Sequence, residues 1–185
     1  MTMRYFAFLR AINVGGHTVK MADLVQYFQE IGFSDVHTFI ASGNVIFSTS
    51  AEDVSRLERD IEDMLVLNLG YEVKVFIRST EEFSGILRYQ PFHAEEIANA
   101  GAINVGFLTS PLSFAEQEKL QALTTEADYF HCMEREFYWL CKTGQSQSEF
   151  SLKLFEKKVG VSATLRGMKT IKRLGEKYAI ILTHH

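Results

Sequence analysis

Cysteine is scarce in this sequence. Its two cysteines, Cys132 and Cys141, are too few for a disulfide framework. Their sparse use predicts two reduced thiols in the core of a cytoplasmic protein. Proline is equally rare, with two residues, and no segment has low complexity, so we expect no long disordered tail. No apolar run approaches the roughly 20 residues that span a bilayer, and the N-terminal residues lack the cleavage site of a signal peptide. We therefore expect a soluble protein without a membrane partner.

Net charge is low, at −4, but it is unevenly distributed along the chain. From Phe150 to the end, eight lysines and arginines stand against two glutamates, so this segment carries +6 and the rest of the chain carries −10. Such a split indicates either a tail that binds an acidic partner or a basic face docked on an acidic body. Charge patterning favours the second interpretation.

The first half of the chain predicts the order strand, helix, strand, strand, helix, strand. The strands are expected at 4–9, 36–40, 45–47 and 72–78, and the helices at 21–31 and from about residue 50 to Gly70. Apolar residues of 21–31 recur at helical spacing, and Ser50 with Asp53 has the spacing of a capping box. This order is the split βαβ pattern of a ferredoxin-like sandwich.

The second half predicts a looser version of the same pattern. Its expected elements are a short helix capped by Ser79 and Glu82, a strand at 103–108, a helix capped by Ser113 and Glu116, a hairpin of 129–133 with 137–141, a helix ended by Gly160, and a helix at 170–178. We therefore predict an α+β fold of two similar ferredoxin-like (split βαβ) α/β sandwich subdomains in tandem. Their expected ranges are 1–79 and 80–185, the second ending in the basic helical segment.

Three segments carry a resemblance to a known family. They are Leu9–Gly16 (LRAINVGG), Phe39–Phe47 (FIASGNVIF) and Val159–Arg166 (VGVSATLR). Over nearly its whole length the chain resembles the bacterial "domain of unknown function 1697" family. The resemblance implies a soluble α+β protein of two related subdomains and little about activity, because the family is uncharacterised. The chain departs from the family at Ala11, where Gly is usual, and at Gly167-Met168, where Asn-Trp is usual.

Polar and glycine residues follow the first two predicted strands. In a split βαβ unit these strands run parallel, so residues 10–20 and 42–44 should meet at one end of the sheet, beside the N-terminus of the helix at Met21. Unpaired N–H groups, flexible glycines and two cations would then surround one pocket. The residues expected to bind a ligand there are Arg10, Asn13, Gly15, Gly16, Lys20, Ser42, Gly43 and Asn44, with Arg166 added if the basic segment between the last two helices closes over the pocket.

Three functions are compatible with this pattern. The leading hypothesis is a pocket for a small anionic molecule, phosphorylated or nucleotide-like, with catalysis left open. The alternative is a structural or protein-interaction module without a ligand, in which the same residues make turns and Arg10 and Arg166 are buried. The second alternative is nucleic-acid binding, which the absent aromatic strand motif and the acidic body disfavour.

No signature of a reaction is present. His37, His93 and His131 lack metal-ligand spacing with another His or Cys, so we expect no metal site. His17 is either a solvated loop residue or a ligand contact. The glycine loop matches neither the Walker pattern nor the Gly-x-Gly-x-x-Gly pattern of nucleotide-binding loops. No Gly-x-Ser-x-Gly elbow occurs, so serine hydrolysis has no signature here. The sequence therefore indicates no cofactor, reaction or oligomeric state.

Overall fold

The computed structural model describes residues 1–13 and 15–178. These residues form two compact units, one from Met1 to Ile86 and one from Leu87 onward. Each unit contains one four-stranded antiparallel sheet, which confirms the predicted α+β class with two similar subdomains. The predicted border near 79–80 falls where the fourth strand ends, seven residues before the division between the compact units. None of the described helices is both long and apolar enough to cross a membrane.

The first unit has the element order of a ferredoxin-like sandwich. Its elements are β1 (Met3–Leu9), α1 (Met21–Glu30), β2 (Ser34–Thr38), β3 (Asn44–Thr49), α2 (Val54–Leu69) and β4 (Val75–Ser79), followed by α3 (Thr80–Arg88). The strand order is β2-β3-β1-β4, and all neighbours are antiparallel. Because β3 lies between β1 and β2, those two strands run parallel and their C-terminal ends lie at the same end of the sheet.

Both faces of the first sheet are covered by side chains. Alternate residues of a strand point to opposite faces, and Tyr5 and Leu9 lie in the core beneath α1 and α2. Leu24 supplies the predicted apolar face of α1 and is fully buried. On the other face, the ring of Phe6 stacks on Phe83 of α3 with 4.4 Å between centroids. Both faces of the first sheet are therefore packed against helices.

Two details of the predicted elements are wrong. The predicted capping box of Ser50 with Asp53 does not form, because Asp53 is itself the N-cap of α2 and its carboxylate accepts the Arg56 N–H at 3.0 Å. The second strand ends at Thr38, since Ile40 has a left-handed backbone with φ of +50° and cannot extend the strand. The remaining elements of the first unit lie close to their predicted places.

The second unit repeats the topology of the first. Its elements are α4 (Ala94–Ala98), β5 (Ala102–Phe107), α5 (Phe114–Gln121), β6 (Asp128–Met133), β7 (Glu136–Cys141), α6 (Leu152–Val159), β8 (Thr164–Gly167) and α7 (Met168–Lys177). The strand order is β6-β7-β5-β8, again antiparallel throughout. The strands β5, β6, β7 and β8 thus correspond to β1, β2, β3 and β4. Neither α4 nor β8 was predicted from the sequence.

The register of the two sheets identifies equivalent residues. Phe6 of β1 pairs with Arg78 of β4, and Val105 of β5 pairs with Arg166 of β8. Arg78 and Arg166 therefore occupy the same position in the two repeats, and both are buried. Residue-level identity between the halves is weak, so only the strand pairing makes this correspondence visible.

An aromatic cluster forms the core of the second unit beneath α5 and α6. The Trp139 indole N–H donates to the buried Asp128 carboxylate at 2.8 Å, and its ring centroid lies 4.6 Å from that of Phe150. Both cysteines are free thiols, with Cys141 buried and Cys132 partly buried. Desolvation raises the pKa of Cys132 to about 11, so this thiol is protonated at neutral pH.

Candidate functional site

The 10–20 loop and the 42–44 turn lie side by side, as the topology predicts. The backbone N–H of Leu9 donates to the Gly43 carbonyl at 2.8 Å. Farther along the loop, Asn13 Nδ2 donates to the Ala41 carbonyl at 3.4 Å. We call residues 10–13, 15–20 and 40–44 together the rim.

The glycines of the rim serve two different purposes. Gly43 has φ of +75°, and a Cβ there would lie 2.9 Å from Ile12 Cγ2 and 3.1 Å from Leu9 Cβ, so this glycine permits a close contact. Gly15 and Gly16 also have positive φ, at +64° and +84°, but a Cβ at either would meet no atom within 4 Å. These two exposed glycines shape the loop and leave its backbone open.

Two asparagines hold the rim together. Asn13 Oδ1 accepts the Val19 N–H at 2.7 Å, which fixes the chain just before α1. The buried Asn44 donates from Nδ2 to the Phe39 carbonyl at 3.0 Å and to Ser42 Oγ at 2.8 Å. The two side chains therefore stabilise the shape of the rim by hydrogen bonds to other groups of the protein.

The cations of the rim differ in exposure. Lys20 is exposed and is the N-cap of α1, and its side chain makes no capping hydrogen bond. Arg10 is partly buried, and its backbone N–H donates to the Lys74 carbonyl at 2.9 Å. Positive charge thus lies beside the helix terminus, whose partial charge has the same sign.

Arg166 lies between α6 and α7, as expected, but it belongs to strand β8 of the second unit, which the sequence did not predict. Its Nη1 donates to Thr164 Oγ1 and to the Leu165 carbonyl, each at 2.9 Å. Burial lowers the pKa of Arg166 to about 10, which leaves it charged at neutral pH. A contribution of Arg166 to the rim stays a prediction.

Tyr71 contacts the rim, although no sequence pattern indicated this. Its hydroxyl donates to the Ile12 carbonyl at 2.9 Å, and its ring stacks on His17 with 4.1 Å between centroids. Partial burial raises the pKa of the Tyr71 phenol, so it remains a neutral donor at physiological pH. Because 59 residues separate Tyr71 from Ile12, only the folded chain reveals this contact.

Among the described residues, four other than glycine have positive φ, and two of these four lie in the rim. Ala11 has φ of +56° and Ile40 has φ of +50°, conformations that cost an L-residue about 1–2 kcal/mol relative to the right-handed region. Ile40 is also β-branched and exposed, a combination that is unusual in this conformation. Strain of this kind persists where the surrounding structure enforces it, and it clusters at functional sites.

Ala11→Gly is expected to raise the free energy of unfolding by about 1 kcal/mol, because glycine adopts the left-handed conformation without the Cβ penalty. Urea denaturation followed by circular dichroism measures the change. Ala115→Gly, on the exposed face of α5, is the control and should lower stability by about 1 kcal/mol. Equal losses in both variants would show that Ala11 is not strained.

Other concave surfaces lie in each unit. The first unit has an open groove of about 530 Å³, with Arg4, Tyr5, Glu52 and Glu81 among the residues that line it. The second unit has an apolar cavity of about 50 Å³, with Tyr138 among its lining residues. No group of three potential metal ligands occurs within residues 1–13 and 15–178.

The fold and the rim define an α+β protein of two tandem ferredoxin-like units, the first carrying a glycine-bearing loop at the end of its sheet. The family described as "Protein of unknown function (DUF1697)" matches residues 2–138. This match covers well over half of the chain, and the chain therefore belongs to that family.

The same fold occurs in a solved structure. The chain is similar to the conserved bacterial protein SP0830 from Streptococcus pneumoniae, with a TM-score of 0.72 and 22% sequence identity. The alignment covers 95% of this chain and 98% of that protein. At this identity the likeness shows the fold alone. A comparison with curated proteins finds no match.

Proposed function

We propose that the rim of the first unit binds a small anionic molecule, phosphorylated or nucleotide-like. The observation that carries the proposal is the double role of Asn13, whose side chain bonds both the Val19 N–H and the Ala41 carbonyl. These two hydrogen bonds hold the start of α1, the glycine loop and the 40–44 turn together at one end of the sheet. Hydrogen-bond donors from separate segments are thereby gathered beside exposed Lys20.

The chemistry of the rim favours an oxyanion. Lys20 has no acceptor to offer, so the first N–H groups of α1 lack a side-chain cap and are available to a ligand. Gly15 and Gly16 let an anion approach the loop backbone closely. Arg10 and Lys20 bring positive charge to the rim, and positive charge attracts a phosphate or carboxylate.

An aromatic surface at the rim supports a nucleotide-like ligand. His17 is exposed and already stacks on Tyr71, so a base can extend this pair. The strained Ala11 and Ile40 flank the same region, and such strain is a reason to look for function there.

The proposal is tested by thermal-shift assays and calorimetry with nucleotides, sugar phosphates and inorganic phosphate. A ligand at 100 times its Kd should stabilise the protein by about 2.7 kcal/mol. Lys20→Ala should weaken binding about fivefold to tenfold, since it removes one exposed charge beside the oxyanion. Lys119→Ala, an exposed charge on α5, is the matched control and should bind like the unmodified protein.

Two results would contradict the proposal. One is no stabilisation by any anion at millimolar concentration. The other is equal stabilisation of the unmodified protein, Arg10→Ala and Lys20→Ala, which would mean that the anion binds away from the rim.

A structural or protein-interaction module without a ligand is the second candidate. It is favoured by the internal bonds of Asn13 and Asn44 and by the burial of Arg166 against its own strand. The Asp23 carboxylate in the first turn of α1 also reduces the positive potential there. In this case the rim variants change stability but leave the response to every anion unaltered.

A further inference from the structure

The helices that follow the fourth strands of the two units begin differently. In the first unit, Ser79 Oγ accepts the Glu82 N–H at 3.2 Å, and the Glu82 carboxylate accepts the Ser79 N–H at 2.8 Å. In the second unit the equivalent N-cap of α7 is Gly167, which makes no side-chain cap, and Thr170 replaces the glutamate. The ten-residue helix α7 therefore starts without the hydroxyl and carboxylate that serve α3.

The space that corresponds to the Ser79 hydroxyl is open in the second unit. A Cβ placed on Gly167 would meet no atom within 4 Å. Asn104 of β5 is the direct pairing partner of Gly167, as Tyr5 is of Ser79. Directly opposed residues of an antiparallel pair carry their side chains on the same face, so the Asn104 amide lies on the face that opens above Gly167.

Asn104 supplies a second, independent observation at this place. Its side chain is only 4% exposed, and its Nδ2 has no hydrogen-bond partner. Burying an unpaired amide costs free energy, and native proteins rarely retain one without a purpose. The adjacent Trp139 indole N–H, by contrast, is fully bonded to Asp128.

Two kinds of hydrogen-bond donor are found at this opening. The first N–H groups of α7 have no partner within the helix. The amide nitrogen of Asn104 carries two further hydrogens that it can donate. Exposed Lys169 lies in the same first turn, and α7 carries four basic residues against one glutamate. A phosphate offers these donors more acceptor oxygens and more negative charge than a carboxylate does, which favours a phosphate group.

We propose that the start of α7 binds a phosphate group, free or esterified, in the place that the Ser79 and Glu82 side chains fill in the first unit. Its oxygens accept from the Lys169 and Thr170 N–H groups and from Asn104 Nδ2, reached through the opening left by Gly167. All of these residues belong to the second unit, so this site is independent of the proposed anion site at the rim.

The test is an NMR titration of the full-length, ¹⁵N-labelled chain with inorganic phosphate, glycerol 3-phosphate and acetate. Saturable shifts are expected at the Lys169 and Thr170 amides and at the Asn104 side-chain NH₂, with phosphate binding at least tenfold tighter than acetate. Tighter binding of the ester than of inorganic phosphate assigns the site to a phosphomonoester, and the reverse assigns it to free phosphate.

Two variants separate binding from folding. Gly167→Ser combined with Thr170→Glu rebuilds the capping box of the first unit, and serine fits because Gly167 has φ of −61°. This double variant should raise Tm and weaken phosphate binding at least tenfold. Asn104→Leu should also weaken binding about tenfold without lowering Tm, because it replaces an unpaired amide with an apolar group of similar size.

Controls make a negative result decisive. Lys158→Ala, an exposed charge on α6, should leave the titration unchanged, and Lys20→Ala at the rim should also leave it unchanged. The proposal is overturned if the three reporter groups show no saturable shift up to 20 mM phosphate. It is equally overturned if the capping-box variant binds as tightly as the unmodified protein, or if Asn104→Leu lowers Tm and leaves the affinity unaltered.

Discussion

Gly106→Ala is expected to lower the free energy of unfolding by about 3 kcal/mol, among the largest effects that one added methyl group can have. A Cβ at this position would lie 2.2–2.6 Å from three ring atoms of Phe137. The two residues are direct partners in the β5–β7 pair, so the ring of Phe137 lies directly over the glycine. Differential scanning calorimetry and urea denaturation both measure the loss.

The ring of Phe137 has no room to move aside. It is fully buried and stacks on Phe155 of α6 with 4.6 Å between centroids, while Phe150 lies at its edge at 6.4 Å. Close-packed interiors relax little, so the added methyl group must shift the backbone of β5 or force the ring from its rotamer.

The control for this prediction is Gly85→Ala in α3, where a Cβ would meet no atom within 4 Å. That substitution should stabilise the protein by about 0.5–1 kcal/mol, because alanine favours the helix. Phe137→Leu should partly rescue Gly106→Ala, so the double variant should lose less stability than the sum of the single losses. A loss below about 0.5 kcal/mol for Gly106→Ala would show that β5 and β7 are farther apart than described.

Local signals in the sequence were sufficient for much of the fold. The capping boxes of Ser79 with Glu82 and of Ser113 with Glu116 form as predicted, because each depends on residues three positions apart. Gly70 ends α2 with φ of +79° for an equally local reason. The parallel direction of the first two strands then followed from the order of the elements, since few topologies satisfy a split βαβ pattern.

Features that depend on pairing between distant strands could not be predicted. The four residues of β8 are too few to show a periodicity, so Arg166 was expected in a link between helices. The importance of Gly106 becomes apparent only when Phe137 is known to be its partner. The unpaired amide of Asn104 and the open space above Gly167 are likewise properties of strand register.

The candidate site shows the same division between local and distant information. Parallel β1 and β2 bring residues 10–20 and 42–44 together, and this much follows from the element order. Whether Asn13 and Asn44 bond to a ligand or to the backbone depends on atomic distances that no pattern encodes. Tyr71 reaches Ile12 from beyond the end of α2, and nothing in either local sequence indicates it.

Gly43→Ala is expected to lower the free energy of unfolding by about 2–3 kcal/mol and to remove the proposed anion binding at the rim. Two costs combine at this residue: φ of +75° disfavours any Cβ, and the new atom would lie 2.9 Å from Ile12 Cγ2 and 3.1 Å from the Leu9 carbonyl oxygen. To relieve the contact, the 42–44 turn must move away from β1 and break the Leu9–Gly43 hydrogen bond.

Gly16→Ala separates the two costs, since Gly16 has φ of +84° but a Cβ there would meet no atom within 4 Å. Its expected loss is about 1 kcal/mol, the conformational cost alone. The difference between the two variants, measured by urea denaturation, therefore reports the packing of the turn against β1. If both variants lose the same stability, Ile12 and Leu9 do not hold the turn in place, and the rim lacks the rigidity that a preorganised anion site requires.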